Sequence, residues 1–271
     1  MASDSNRSDP PAGGRDALSS DSSVPIDRQN LTIDAAGLSA DQLRSRLRAI
    51  GQQCSRQAAD DAPLPCVTIL NLHDRDGDGG WLPFHDVPLM VRIDAVAPSH
   101  SFFCMTGGEI DLRAGGGDAL ATGLAGGVVR IRGDVGDAVG AGCTGGTLAV
   151  HGRAGHRVGA AMTGGGILIR GNAGDDLGHG GVGGTIVVGG DVGHDLGLDN
   201  SGTTIFVLGD VASLAPNIVE APMRKQAQLR LSVLLMNASV RGKPATFHRY
   251  LHRDQWAAER RELGEVSASW R

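Results

Sequence analysis

Between Thr106 and Gly209 the chain repeats itself every 19 residues. Units built as Gly-Gly, a run of five strand-like residues and Gly begin at Gly107, Gly126, Gly145, Gly164, Gly183 and Gly202. A fixed period of this length is the mark of a stacked repeat architecture. Other columns hold the same step. One is Ile110, Val129, Leu148, Ile167, Ile186 and Ile205. Two residues on lies Leu112, Ile131, Val150, Ile169, Val188 and Val207. A third is Leu120, Val139, Val158, Leu177 and Leu196, and a fourth is Met105, Leu124, Cys143 and Met162.

Glycine makes the alternatives easy to exclude. Of 42 glycines, 33 lie between Thr106 and Gly209. Collagen would need glycine at every third residue and much proline. A flexible linker would lack the Val, Ile and Leu columns. A helical domain would lose about 1 kcal/mol at each interior glycine.

Two apolar columns two residues apart define one inward strand face, because side chains alternate across a strand. A unit this short cannot bury that face alone, and stacking solves the problem. The expected fold is all-β: a right-handed parallel β-helix, a single-stranded solenoid of about 19 residues per coil. Six coils at about 4.8 Å each make a rod roughly 30 Å long. A second short strand is expected in each unit, as at Val135 to Val139. The structural glycines are Gly126, Gly133, Gly136, Gly145, Gly152, Gly155, Gly164, Gly171, Gly174, Gly183, Gly190 and Gly193. There the chain turns with φ > 0 or packs closely, and Gly155→Val is a test of positive φ.

The register extends upstream to Val91 and Ile93, with a coil starting near Leu89 and another near Cys66 to Leu70. Three regions follow: a disordered segment over 1–27, a β-helix domain with an N-terminal capping helix over 28–215, and a helical tail over 216–271. The capping helix is read from Leu38 to Gly51. Ser39 and Gln42 form a capping box, Leu43, Leu47 and Ile50 share a face, and Gly51 is the C-terminal cap. Further helices are expected over Met223 to Asn237, with Leu229, Leu231, Leu234 and Leu235, and over Arg253 to Leu263. Helices at both ends would cover the open core.

The net charge of −5 hides a basic C-terminal part. From Arg224 onward there are ten Lys or Arg against four Asp or Glu. Nothing suggests nucleic-acid binding. No apolar run is long enough to span a membrane. The N-terminus lacks the apolar centre of a signal peptide. Cys54, Cys66, Cys104 and Cys143 are scattered, which fits buried thiols in a cytoplasmic protein.

Few motifs look chemical. Gly140–Gly145 and Gly178–Gly183 both read G-x-G-x-x-G, but a dinucleotide loop needs a strand before it and a helix after it. Asp74-Arg-Asp-Gly-Asp-Gly79 matches half a calcium loop, with His85 where the closing Glu should stand. His156 and His194 share a column with Asp137 and Asp175, while His151 and His179 lie elsewhere in the repeat. That column either lines a binding face or marks a solvated turn. His248, Tyr250, His252 and Trp256 read as a docking surface. No catalytic, cofactor-binding or metal-binding residue is assigned.

The repeats Gly-Asp-Val-Gly-Asp-Ala-Val-Gly (133–140) and Gly-Asn-Ala-Gly-Asp-Asp-Leu-Gly (171–178), with Cys-Thr-Gly-Gly or Met-Thr-Gly-Gly between units, resemble the GXGXG-motif family. That family contains the C-terminal domain of the glutamate synthase large subunit and free-standing glutamate-synthase-like subunits, including that of N-methylglutamate synthase. It also contains the GXGXG-bearing subunit of formylmethanofuran dehydrogenase. The resemblance covers about residues 31–215. The opening segment Leu31 to Arg48 and the end of the coils, Val207 to Asn217, are similar to the free-standing glutamate-synthase-like subunits.

The resemblance implies a structural subunit of a hetero-oligomeric oxidoreductase complex. An amidotransferase subunit and an FMN-binding subunit, with FMN and an iron–sulfur cluster, would be its partners; this chain would hold no cofactor. The alternative is the equivalent subunit of a formylmethanofuran dehydrogenase or formyltransferase/hydrolase complex. A third reading, from another class, is an enzyme or small-ligand binder using the His/Asp column.

Overall fold

A computed structural model describes residues 31–56, 64–70, 89–237 and 244–262. The segment expected to be disordered, 1–27, and the Asp74–Gly79 motif with His85 lie outside the described residues.

The repeat becomes a parallel β-solenoid. Its strands are β3 (Met90–Ile93), β4 (Glu109–Leu112), β5 (Val128–Ile131), β6 (Thr144–Val150), β7 (Gly164–Ile169), β8 (Thr185–Val188) and β9 (Thr204–Val207). Each pairs in parallel with the next, and the partners are 19 residues apart: Val91 with Ile110, Ile110 with Val129, and onward to Ile186 with Ile205. One irregularity interrupts this, between Thr144 and Thr147 in the β6–β7 pair. All four apolar columns are buried in one continuous core. At about 1.5–3 kcal/mol for each fully buried large aliphatic side chain, these ladders supply the main favourable term for the fold.

The second strand expected in each unit is not formed. Its column makes single bridges only, such as Ala154 with Ala173 and Ala173 with Val192. The following residues turn away immediately, through left-handed positions such as Ala138, Arg157 and Asp176.

The sheet starts earlier than the coils. β1 (Leu31–Asp34) pairs in parallel with β2 (Cys66–Leu70), which pairs with β3. Between β1 and β2 runs α1 (Ala40–Arg56). The capping box at its start is formed: Ser39 N donates to Gln42 Oε1 at 2.8 Å, and Gln42 N donates to Ser39 Oγ at 3.2 Å. Gly51 does not end the helix. The buried stripe Leu43, Leu47, Ile50 continues to Cys54. Burial of that last turn outweighs the roughly 1 kcal/mol that an interior glycine costs. α1 shares the core with Leu31, Ile33 and Val67, and so covers the N-terminal end of the solenoid.

The other end is closed differently from expectation. The 216–271 segment contributes two strands, β10 (Ile218–Ala221) and β11 (His248–His252), besides α2 (Lys225–Asn237) and α3 (Arg253–Glu262). β11 inserts between β9 and β10, antiparallel to both. A reversed strand ends the parallel stacking, and Tyr250, opposite Ile205, packs on the core. Exposed edges invite pairing with other chains. Here the edge is the short strand β10, with α3 beside it. The guanidinium of buried Arg249 on β11 forms a double ion pair with Glu259 on α3, one contact at 3.1 Å.

α2 caps no end. It lies on the outer face of the sheet, where Ala227, Leu231, Leu234 and Leu235 bury Ala149, Leu168, Val187 and Phe206. This outer column turns apolar from β6 onward, and α2 covers that half. In the uncovered half, the same column and its neighbours carry charge. Arg130 Nη1 meets Glu109 Oε2 at 2.7 Å, and Arg132 Nε meets Asp111 Oδ1 at 3.0 Å.

Candidate functional site

The structure decides between the two readings of the His/Asp column. Asp118 Oδ1 accepts the backbone N–H of Asp137 at 2.8 Å, and Asp137 Oδ1 accepts that of His156 at 2.8 Å. His156 Nδ1 then accepts from Asp175 N at 3.0 Å, and Asp175 Oδ1 accepts from His194 N at 2.7 Å. Ser99 extends the series one coil upstream, accepting from Asp118 N at 2.9 Å. Each side chain therefore satisfies the amide one coil later. Asp and His can share the column because Oδ1 and an unprotonated Nδ1 are acceptors at the same reach from Cγ.

His156 also lies 3.3 Å from Asp175 Oδ2. One nitrogen cannot accept from Asp175 N–H and donate to that carboxylate together. The shorter backbone bond takes the lone pair, which leaves the proton on Nε2. A parallel ladder runs three residues away: Asp134 to Arg153 N, Asn172 to Asp191 N, and Asp191 to Asp210 N, at 2.7–3.1 Å. Both ladders hold coils together. Among the described residues, no group of three His, Cys, Asp or Glu is placed to hold a metal ion.

The two G-x-G-x-x-G stretches do not fit a phosphate. A phosphate loop offers unbonded amides at a helix N-terminus. Here every amide from Gly140 to Gly145 already donates within the solenoid, as does every amide from Gly178 to Gly183. No helix follows either stretch: β6 begins within the first, at Thr144, and β8 follows the second.

Of the two reasons offered for the structural glycines, positive φ or close packing, the structure supports close packing, at Gly155 as at the rest. None of the twelve glycines assigned from the repeat has φ > 0. They are glycines because a Cβ would run into the coil beneath. At Gly174 it would lie 2.9 Å from the Gly155 carbonyl and 2.9 Å from His156 Nδ1. At Gly155 it would meet the Asp137 carboxylate, the ladder acceptor itself. Among the described residues, the left-handed turns occupy other columns, where glycines such as Gly140, Gly159 and Gly178 adopt them together with eleven non-glycine residues, including Ala119, Ala138, Arg157, Asp176 and Asp195. A positive φ costs about 1–2 kcal/mol, which a stacked turn tolerates, whereas steric overlap with backbone has no such relief.

The remaining candidates are resolved by position. His151 follows β6 on the outer face. Burial pushes its imidazole below the usual range, and Arg132 and Arg170 push in the same direction. Cys143 faces the core, where burial raises its thiol to about 12, which removes it as a nucleophile. None of the four cysteines is joined to another in a disulfide. His248 and His252 lie on strand β11, with Tyr250 turned into the core. Trp256 stacks under Arg224, 4.9 Å from ring centre to guanidinium carbon. Of these residues Tyr250 is buried in the C-terminal closure, His252 and Trp256 are half-buried, and His248 is exposed.

What sequence reasoning missed was the outer-face position of α2. The signal was available as a shift in one column, from Asp111 and Arg130 to Ala149, Leu168, Val187 and Phe206. Among the described residues, no helix is long and apolar enough to cross a membrane. No family model matches the chain, and no curated protein matches it.

Proposed function

We propose that the chain is a non-catalytic scaffold subunit of a glutamate-synthase-type complex, a glutamate or N-methylglutamate synthase. It holds an amidotransferase subunit and an FMN-binding subunit in a fixed relation. One observation carries the reading. The polar side chains most suggestive of chemistry, the Asp/His column and the glycine loops, are engaged in coil-to-coil hydrogen bonds. A body organised in this way is a rigid length of protein with a filled interior. The motif resemblance adds the class of complex.

Co-expression with the neighbouring genes tests it. The expected result is one complex on size exclusion, with the flavin carried by another subunit. A chain that elutes alone while its neighbours assemble without it refutes the proposal. A second reading, the GXGXG-bearing subunit of a formylmethanofuran-type complex, is favoured by the regular pairing from β3 to β9. Co-purification with metal-containing subunits in place of an amidotransferase selects it.

A further inference from the structure

α2 is anchored by one face and open on the other. Its open face presents Leu229, Val233 and Met236, exposed by 65%, 48% and 76%. Their spacing of four and three residues sets them in a single stripe. Single exposed apolar residues are ordinary, but a stripe on a helix already fixed by its opposite face is a prepared surface. Lys225 and Arg230 are exposed on the same helix, which carries no acidic residue.

We propose that this stripe docks a segment of a partner protein that is apolar at its centre and acidic at its flanks. Charge selects the occupant. From Arg224 to the C-terminus the chain has ten Lys or Arg and four Asp or Glu. A second copy meeting this one through the same helix about a two-fold axis would set cation against cation. An acidic-flanked apolar segment meets the stripe with its centre and the two cations with its edges. The helix is held against the sheet by Leu231, Leu234 and Leu235, so docking carries no cost of folding it. The inference rests on the scaffold reading only in taking the partner to be another subunit.

The test uses the full chain and two synthetic amphipathic peptides. Both place leucines at i, i+4 and i+7; one is flanked by glutamates and its twin by lysines. Fluorescence anisotropy should show the acidic peptide binding at least about tenfold tighter than the twin, and weakening as salt rises. Leu229→Ser with Val233→Ser and Met236→Ser should remove binding at unchanged melting temperature. Lys225→Glu with Arg230→Glu, at exposed positions, should reverse the preference between the peptides, and it decides the matter if the serine variant melts early. Equal binding of the two peptides, or none, overturns the proposal. Self-association abolished by the serine variant assigns the stripe to a second copy and overturns it. Sedimentation with phosphatidylserine vesicles that depends on the stripe does the same. A failed scaffold assignment shows separately, as absence of the multisubunit complex while the peptide preference persists.

Discussion

Gly145→Ala and Gly107→Ala change the same repeat position and should behave oppositely. At Gly145 an added Cβ lies 3.1 Å from the carbonyl carbon of Ala125 in the coil beneath, and closer still to its oxygen. Gly107 stands at the start of the column, and its Cβ would meet nothing within 4 Å. Neither residue has positive φ, so backbone strain does not enter. To bring the new methyl to an ordinary separation of about 3.5 Å, the two coils must part locally by roughly 1 Å. Two bonds run through that point, Thr144 N to Leu124 O at 2.9 Å and Gly145 N to Leu124 O at 3.1 Å. Losing both costs about 1–3 kcal/mol, and residual overpacking adds about 1–3 kcal/mol. The reduced entropy of the unfolded chain returns about 0.4–1 kcal/mol.

Gly145→Ala should therefore lose about 2–4 kcal/mol, which is about 5–15 °C in melting temperature for a domain of this size. Gly107→Ala should be neutral or slightly stabilising. Urea unfolding followed by circular dichroism measures both, with intermediates checked by a second probe because repeats can unfold in parts. If Gly145→Ala stays within about 0.5 kcal/mol of the parent, or Gly107→Ala is equally damaging, steric stacking is not why the glycines recur.

The Asp/His ladder makes a second pair of expectations. His156→Asn keeps an acceptor at the same reach and should hold stability, whereas His156→Ala should lose about 0.5–1.5 kcal/mol and speed hydrogen exchange at Asp175 N. Equal exchange in the two variants would mean that Nδ1 does not accept that bond. His151 makes stability depend on pH. Its folded pKa lies below the unfolded value of about 6.5, so the unfolded chain takes up a proton that the folded one resists. Its contribution is intact above that value and is lost as pH falls from there through the folded pKa. His151→Gln should flatten the fall in urea midpoint between about pH 7 and 5; an unchanged slope assigns it to other groups. Cys143, raised to about 12 by burial, should alkylate only as fast as the chain opens, while unfolded protein reacts at once. Rapid labelling of Cys143 in native protein, read by peptide mass mapping, would contradict its place in the core.

What could be read beforehand divides along a physical line. The 19-residue period determined the strands, their pairing and the buried columns, because every coil meets the same surroundings as the next. It also placed Asp137, His156, Asp175 and His194 in one column, although periodicity cannot say what a side chain touches. The Nδ1 and Oδ1 bonds to the next coil came only from the third dimension. The same holds for the glycines. Their columns were visible, but whether each answers to φ or to the coil beneath depends on a distance of a few ångströms between residues 19 or 20 apart.

The termini carry no repeat and so no register. His248-Arg-Tyr-Leu-His252 is compatible with a helix face or a strand, and only pairing with Val207 and Ile205 makes it β11. Gly51 resembles a helix stop until Cys54 finds the core. The leucines of α2 announce an amphipathic helix, yet sequence alone puts Leu229 with them. The sheet face decides that Leu231, Leu234 and Leu235 turn inward and Leu229 stays in solvent. Sequence by itself determined the rod, since a repeated unit has one consistent way to stack. Tertiary structure decided its closure and its exposed surface, since those depend on contacts that occur once.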